Sequence, residues 1–433
     1  MGNVYISFLG TNDYIPCTYL LEEKEARNVR FVQEGTARFF CQNWTEEDRI
    51  LFFMTEEAYK KNWLDDGHTD RDGNTPKRSG LKRCLEQLNF KPILEEIPIP
   101  SGKSLSEIWK IFQIVFDQLK QGDEIVFDIT HALRSIPMLA MVVLNYAKVM
   151  KDISITGIYY GAFETLGSVK EAEKIPEEKR RCPVFDLTAF DSLLDWSLAI
   201  DSFIGAGDAV PVCTLSRKAI HPILKKSKGR DTSAAAMRDL GNKLQNFTKT
   251  MYACRGRKIP QAVNDLKEQL KVCEGLEVLP PFQPLLTKIS HELHDFTGEQ
   301  IRDGIQAVTW CYDHNLIQQG YTIMREVLIN FLATKVGLDH NNQKNREIAS
   351  QAVKISQQNI KIQDWKAPSA DYPETTNEYL AYLKNEPEIS RIYSEIMKYR
   401  NDINHAGYRD NPMQADRFGK KLKGLVADLK RHL

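Results

Sequence analysis

The first 190 residues alternate short runs of β-branched and aromatic residues with amphipathic stretches, and this alternation constrains the fold more than any other feature. The candidate strands are Val4 to Leu9, Arg49 to Met54, Ile93 to Ile97, Glu124 to Ile129 and Ile153 to Tyr160. Strands separated by helical segments are typical of a mostly parallel sheet covered by helices. We therefore predict an α/β domain at the N-terminus.

Two segments between the strands have distinct patterns. Leu105 to Leu119 carries apolar residues at helical spacing, and we predict that this stripe lies in the core. Its members are Leu105, Ile108, Trp109, Phe112, Val115, Phe116 and Leu119. Asp65 to Gly80 is rich in Asp, Gly and charge and has no apolar period, which predicts a surface loop.

Beyond about residue 190 the strand pattern gives way to long helical periodicities, such as Val308 to Ala333 and Tyr379 to Ile403. This change predicts an all-α C-terminal region. A chain of 433 residues is also too long for one ordinary core. We predict an N-terminal domain at 1–188, a helical connector at 189–304 and a C-terminal domain at 305–433.

Composition limits the classes of function. Lys plus Arg equals Asp plus Glu at 58 each, so no global positive field attracts nucleic acid and any RNA contact must be local. The eight cysteines are scattered without a CxxC pair, which argues against a zinc site. No apolar run has the length of a membrane span. We expect a cytoplasmic protein with reduced thiols, no membrane partner and no bound metal.

A first candidate site follows the predicted strand Glu124 to Ile129. Thr130 and His131 form a short polar turn, and a helix is predicted to begin near Arg134. In open parallel sheets ligands bind beyond the carboxyl ends of the strands, where a helix N-terminus favours phosphate. The sequence therefore predicts that Thr130, His131 and Arg134 contact a phosphate-bearing ligand.

The first strand ends in Gly10, Thr11 and Asn12, a glycine followed by two hydrogen-bonding side chains. In a doubly wound sheet this end lies beside the end of the Glu124 to Ile129 strand. No GxGxxG motif follows the first strand, which argues against a dinucleotide-dependent dehydrogenase. The structural alternative is that Thr130 caps the helix and His131 bonds a local carbonyl group.

The sequences DITHALRSIPM and FLGTNDY together resemble the CARF (CRISPR-associated Rossmann fold) domains of type III CRISPR ancillary proteins. The motif Asp-x-Thr-His is Asp128, Thr130 and His131 here, followed by Ala132 where many relatives have Gly. The resemblance implies a Rossmann-like domain that dimerises and binds a cyclic oligoadenylate across its two-fold axis. The implied ligand-binding residues are Gly10, Thr11, Asn12, Thr130, His131 and Arg134.

A second candidate site lies in MKYRNDINHAGYRDNP, where Arg400 and His405 form Arg-x4-His with Asn401 after the arginine. A histidine whose ordinary pKa is about 6.5 serves as an acid or base in RNA cleavage, and arginine binds a scissile phosphate bidentately. Positions five apart on a straight helix point roughly 140° away from each other. Either the helix ends between Asn404 and Gly407, with Gly407 as the C′ residue, or two chains build one site.

The placement of this motif resembles the HEPN ribonuclease family, in which a terminal helix with Arg-polar-x3-His pairs with an earlier helix. The earlier helix is predicted at Asn315 to Phe331. The resemblance implies metal-independent cleavage of single-stranded RNA that leaves 2′,3′-cyclic phosphate ends. Arg400, Asn401 and His405 are the implied catalytic residues.

Together, the two resemblances predict a homodimeric or higher symmetric endoribonuclease of type III CRISPR antiviral defence. Its allosteric activator would be cyclic tetra-adenylate, with the hexamer as the alternative. The main rival is a catalytically silent sensor or regulator of the same ligand class. A winged-helix regulator is disfavoured because no compact basic recognition helix is evident.

Overall fold

The computed structural model describes residues 2–69, 75–130, 135–276, 283–408 and 410–432. The chain divides into two compact units, Met1–Ser192 and Leu193–Leu433, called here the N-terminal and C-terminal units. The first is a mixed α/β domain with a mostly parallel sheet, and the second is all helical. The predicted fold class is therefore confirmed.

Within the described part of the N-terminal unit, eight strands form one sheet in the order β3-β2-β8-β7-β6-β1-β4-β5. The strands are β1 (Asn3–Leu9), β2 (Cys17–Leu21), β3 (Lys24–Val29), β4 (Arg49–Met54), β5 (Ile93–Pro98), β6 (Glu124–Asp128), β7 (Ser154–Gly161) and β8 (Arg181–Asp186). All pairs are parallel except β2 with β3 and β7 with β8. The central strands β1 and β4 are almost wholly buried, as expected for strands covered on both faces.

The helices of the N-terminal unit pack on both faces of the sheet, one core containing Val4 and Phe127 and the other Tyr5 and Phe52. They are α1 (Val32–Phe40), α2 (Glu56–Ala58), α3 (Leu81–Glu86), α4 (Leu105–Gln118), α5 (Ser135–Lys151) and α6 (Val169–Ala172). A π-helical turn, Tyr59–Trp63, continues α2.

The prediction that the whole apolar stripe of α4 is core was wrong. Ile111, Val115 and Leu119 are buried, but Leu105 and Trp109 are 70% and 62% exposed. The neighbouring helix α5 also exposes apolar side chains, among them Met138, Val142 and Val149. The stripe is wider than the face that the sheet covers, so α4 and α5 together present an apolar surface.

Two aspartates of the segment from Asp65 to Gly80 hydrogen-bond to backbone N–H groups at its other end. Asp65 accepts a hydrogen bond from the Gly80 backbone N–H at 2.7 Å, and Asp66 accepts one from the Arg78 N–H at 2.6 Å. Residues 70–74 lie outside the described residues. Two of these carboxylates therefore tie the two ends of the loop together.

Helices of the C-terminal unit build one continuous core. Helix α7 (Thr188–Ala206) begins in the N-terminal unit. The others are α8 (Val210–Lys226), α9 (Thr232–Tyr252), α10 (Ile259–Glu274), α11 (Gln283–Glu292), α12 (Gln300–Asp313), α13 (Ile317–Lys335), α14 (Gln343–Gln358), α15 (Pro373–Asn385), α16 (Pro387–Asn404) and α17 (Ala415–Lys430). Phe247 of α9 packs edge to face on Trp310 of α12 at 5.2 Å between ring centroids. Residues 193–304, most of the predicted connector, thus share the core of residues 305–433.

None of the helices within the described ranges combines the length and the apolar character that crossing a membrane requires.

Candidate functional site

The carboxyl ends of β1, β6 and β7 lie side by side at one edge of the sheet. β1 pairs in parallel with β6, Ser7 opposite Asp128, and β6 pairs in parallel with β7, Asp128 opposite Tyr159. The predicted neighbourhood of the two strand ends is therefore confirmed. This edge is where open parallel sheets bind ligands.

Asp128, the last residue of β6, is a fully buried carboxylate that organises this edge. Its Oδ2 accepts hydrogen bonds from the Tyr5 hydroxyl at 3.0 Å and the Thr36 hydroxyl at 2.8 Å. Burial raises the pKa of Asp128, while the hydrogen bonds from Thr130, Thr36 and Tyr5 oppose that rise. The carboxylate thereby joins β1, β6 and α1.

Thr130 is held by the same carboxylate. Its backbone N–H donates to Asp128 Oδ1 at 2.9 Å, and its hydroxyl donates to the same oxygen. That hydroxyl also accepts a hydrogen bond from the Gly161 N–H at 2.8 Å. Thr130 therefore gives its only hydroxyl proton to Asp128 and ties the end of β6 to the end of β7, which makes it a positioning residue.

The loop after β1 is anchored by a buried amide that the sequence analysis missed. Asn62, on the π-helical turn, donates from Nδ2 to the Gly10 carbonyl at 2.9 Å and the Asn12 carbonyl at 2.8 Å. Its Oδ1 contacts His68 Nε2 at 2.9 Å, and burial lowers the pKa of His68. A lone Asn among apolar and charged residues gives no sequence signal for such a role.

A cavity of about 300 Å³ lies at this edge of the sheet. Asn12, Asp13 and Tyr14 from the loop after β1 line it, together with Thr130 and Gly161. The structure thus brings Asn12 and Thr130 to one cavity, whereas Gly10 and Thr11 lie in the same loop without lining it. His131 and Arg134 lie outside the described residues.

Two arginines that the sequence analysis did not predict stand beside this cavity. Asp13, which lines it, pairs with Arg78 at 2.9 Å and with Arg30 at 3.3 Å. Arg30 also donates from Nε to the Tyr14 carbonyl at 3.1 Å. The two guanidinium groups therefore fix the far part of the loop, and their two positive charges exceed the one negative charge of Asp13 beside a cavity at the lower end of the small-ligand range.

We expect Gly161→Ala to lower the free energy of unfolding by about 1–3 kcal/mol, because it overpacks a tight contact. A Cβ atom at Gly161 would lie 2.3 Å from Cγ2 of buried Val32. Gly205→Ala is the matched control, since a Cβ there meets nothing within 4 Å, and alanine in this helix should be neutral or stabilising. Urea unfolding of both variants measures the difference. Equal stabilities would contradict the packing argument.

The second candidate site lies at the carboxyl end of α16. Arg400 is half-buried, and its Nε is buried without a hydrogen-bond partner among the described residues. Asn401 and His405 are exposed, and the imidazole of His405 has no side-chain partner in that part of the chain. An unpaired buried donor next to two solvent-facing polar groups is an arrangement that a phosphate oxygen would complete.

Helix α16 ends at Asn404. Of the two predicted solutions, a helix that ends between Asn404 and Gly407 or a site built by two chains, the structure has the first. The left-handed turn begins one residue earlier than predicted, at Ala406 with φ 52°, and continues through Gly407 with φ 75°. A non-glycine residue in this conformation costs about 1–2 kcal/mol. The backbone carbonyl of Asp402 accepts a hydrogen bond from the Gly407 N–H at 3.1 Å, and its carboxylate accepts one from the Met413 N–H at 2.8 Å.

Helix α16 packs on α13, which overlaps the predicted earlier helix Asn315 to Phe331. The ring of Tyr399, next to Arg400, contacts the buried ring of Tyr321 edge to face at 5.8 Å between centroids. The Tyr321 hydroxyl donates to the Phe418 carbonyl at 2.9 Å, which adds α17 to the cluster. The helix is therefore firmly packed at Tyr399, directly before the motif, whereas Asn401 and His405 face solvent.

Similarity to a known protein gives one further observation. No family model matches the chain. CRISPR-associated protein MJ1674 of Methanocaldococcus jannaschii is 24% identical to it over 258 residues. The match covers 58% of this chain and 36% of the length of that protein. The chain is thus similar to a CRISPR-associated protein.

Across the described ranges, no group of three His, Cys, Asp or Glu side chains is placed to hold a metal ion.

Proposed function

We propose that this protein is an endoribonuclease of CRISPR antiviral defence that a cyclic oligoadenylate activates. The observation that carries the proposal is the presence, in one chain, of a ligand-sized cavity at the carboxyl edge of a parallel sheet and an Arg-x4-His motif at a solvent-facing helix end. The similarity to a CRISPR-associated protein supports the same context. The resemblance to CARF and HEPN proteins supplies the type III assignment.

The activator in this proposal is cyclic tetra-adenylate, with the hexamer as the alternative. The cavity at Asn12 and Thr130 supports a nucleotide ligand because it lies beyond the strand ends and beside Arg30 and Arg78. Two copies of the chain would each provide half of a ring-shaped site. The exposed apolar surface of α4 and α5 supports a protein contact in the N-terminal unit.

The cleavage reaction in this proposal uses the 2′-hydroxyl of single-stranded RNA as nucleophile. It attacks the adjacent phosphate, the bond to the 5′-oxygen breaks, and a 2′,3′-cyclic phosphate remains. His405 transfers protons, Arg400 stabilises the developing charge on the phosphate, and Asn401 orients it. Following the HEPN resemblance, the proposal places this site at the seam between two copies of the chain.

The proposal is tested by incubating the full chain with labelled single-stranded RNA, EDTA and either cyclic tetra-adenylate or cyclic hexa-adenylate. Cleavage with the tetramer, resistant to EDTA and ending in 2′,3′-cyclic phosphate, is the expected result. Binding of the ligand without any cleavage would instead identify a catalytically silent sensor. Absence of binding to both rings would remove the activator from the proposal.

We expect the double change Thr130→Ala and His131→Ala to raise the activator concentration needed for half-maximal cleavage without lowering the rate at saturation. A ligand shifts an equilibrium only through its differential affinity, so losing contacts common to both states changes binding alone. Titrating cleavage against cyclic tetra-adenylate measures both quantities. Thr130→Ser, which keeps the hydroxyl bonded to Asp128, is the matched control and should resemble wild type. Superimposable curves for the double variant would remove this turn from the sensor site.

A further inference from the structure

A second cavity, of about 430 Å³, lies within the C-terminal unit among the turn before α10, helices α12 and α13 and the first part of α14. Its volume falls in the range of small-ligand pockets, about 300–1,000 Å³. The residues Arg400, Asn401 and His405 do not line it. It is therefore separate from the motif to which the cleavage reaction has been assigned.

The charge lining this cavity is strongly biased. Arg255, Arg257 and Lys258, on the turn before α10, are exposed and have no carboxylate partner among the described residues. Arg346 also lines the cavity, and Glu326 is the one carboxylate in its lining. In a chain whose formal net charge is zero, this is a local cationic site of the kind that an RNA contact requires.

The single carboxylate is itself neutralised within the fold. Glu326 on α13 pairs with Arg346 on α14 and with its neighbour Arg325. The cationic turn is also held in place, since Gln300 donates from Nε2 to the Gly256 carbonyl at 3.0 Å. The three unpaired cations therefore face the cavity from a fixed turn, and the carboxylate does not offset them.

A buried amide points to a ligand independently of the cations. Asn330 lines the cavity and is only 9% exposed, and its Oδ1 has no hydrogen-bond partner in the described part of the chain. Leaving a buried polar atom unpaired costs about 1–3 kcal/mol. Amide groups of Asn and Gln can hydrogen-bond base edges, whereas Arg and Lys bind phosphates. The lining therefore combines the two kinds of group that recognise a nucleotide.

Cys254 relates this cavity to the cleavage motif. The thiol lines the cavity, and burial raises its pKa while the positive charges of Arg255 and Arg400 lower it. Helix α13, which carries Asn330 of the cavity lining, also packs on α16, the helix that carries Arg400. The cavity and the motif therefore involve neighbouring helices of one core.

We infer that this cavity binds a nucleotide of the single-stranded RNA substrate, with Arg257 and Lys258 on a phosphate and Asn330 on the base. The inference rests on the proposed ribonuclease function. It assigns substrate positioning to the turn before α10 and to helix α13, which the Arg400 and His405 motif does not include. Cleavage would then depend on contacts made away from the reacting atoms.

The test is to measure binding of a fully 2′-O-methylated single-stranded oligonucleotide, which cannot be cut because its nucleophile is blocked. Fluorescence anisotropy is recorded over a series of salt concentrations with the full chain and saturating cyclic tetra-adenylate. The variant is Arg257→Gln with Lys258→Gln. Losing two phosphate contacts should make the slope of log affinity against log salt shallower by about 1.4. Unmodified RNA should show a raised KM with kcat largely retained.

The matched control is Arg217→Gln with Lys218→Gln, an adjacent exposed pair on α8 that removes the same charge. Its slope should equal that of wild type. An unchanged slope in the cavity variant, or an equal change in the control, would overturn the inference. If wild type cuts RNA and the cavity variant keeps its KM, the ribonuclease stands and this cavity is not its subsite. If wild type binds the methylated strand but never cuts RNA, the proposed function fails and the binding series still decides the cavity.

Discussion

Replacing His405 with alanine is expected to lower the rate of RNA cleavage by about 10²- to 10⁴-fold, the usual loss when a general acid or base is removed. The imidazole is exposed at the end of α16 and makes no side-chain contact among the described residues, so its removal should not disturb the fold. Binding of cyclic tetra-adenylate and the oligomeric state should stay as in wild type. Single-turnover cleavage of labelled RNA measures the effect.

The matched control for His405 is His294→Ala. The side chain of His294 is 82% exposed and contacts only the neighbouring Asp295 among the described residues. This variant should cut RNA at the wild-type rate. Near-wild-type cleavage by His405→Ala would show that any nuclease activity belongs to another site.

Arg400→Lys is expected to lose nearly as much activity as Arg400→Ala, about 10²-fold or more, as for other groups that stabilise transition-state charge. A guanidinium binds phosphate through two parallel N–H donors, whereas an ammonium group is a point charge. The Nε of Arg400 is a buried donor without an acceptor among the described residues, so it is free to take part in such a two-donor contact with phosphate. Cleavage rates of both variants under saturating activator give the comparison.

The control Arg417→Lys on α17 tests whether replacing any exposed arginine of the C-terminal unit with lysine lowers the rate of cleavage. Arg417 is exposed, and its guanidinium has no partner among the described residues. Its lysine variant should retain full activity. If Arg400→Lys also kept most of the activity, Arg400 would contribute only charge or packing.

The buried strands of the sheet were predictable because they combine β-branched and aromatic residues in short runs. All five candidate strands correspond to strands of the structure, within two residues at each end. The hairpin β2–β3 and strand β8 were missed. In β3, Lys24 to Val29, two residues of six are buried, and β8 contains Pro183, so neither shows the alternation that marks a strand.

The candidate sensor site was predictable only in part. The strand-end position of Thr130 follows from the parallel sheet, since strand ends of one direction share an edge. What Thr130 contacts does not follow from that position, because its partners Asp128 and Gly161 are set by long-range pairing. The anchoring of Gly10 and Asn12 by Asn62 likewise depends on a π-helical turn that local sequence does not reveal.

The Arg-x4-His motif could be found in the sequence, but the backbone conformation and the side chains around it could not be predicted. The end of α16 near Asn404 could be expected from Gly407, yet the left-handed turn starts at Ala406, and the Asp402 carboxylate holds the loop that follows through the Met413 N–H. The cationic cavity escaped notice because Arg255, Asn330 and Arg346 come from distant parts of the chain. Their meeting is a property of the helical packing.

The sheet order also dictates when the N-terminal unit can finish folding during synthesis. Strand β2 lies four places from β1 in the sheet, and its inner neighbour is β8, with Tyr19 opposite Cys182. An isolated hairpin such as β2–β3 is marginally stable in water, and contacts between distant residues form slowly. Strands β2 and β3 therefore cannot join the sheet until β8, which is close to the end of the N-terminal unit, has been synthesised. Until then Tyr19 cannot take its place in the lining of the cavity at the strand ends.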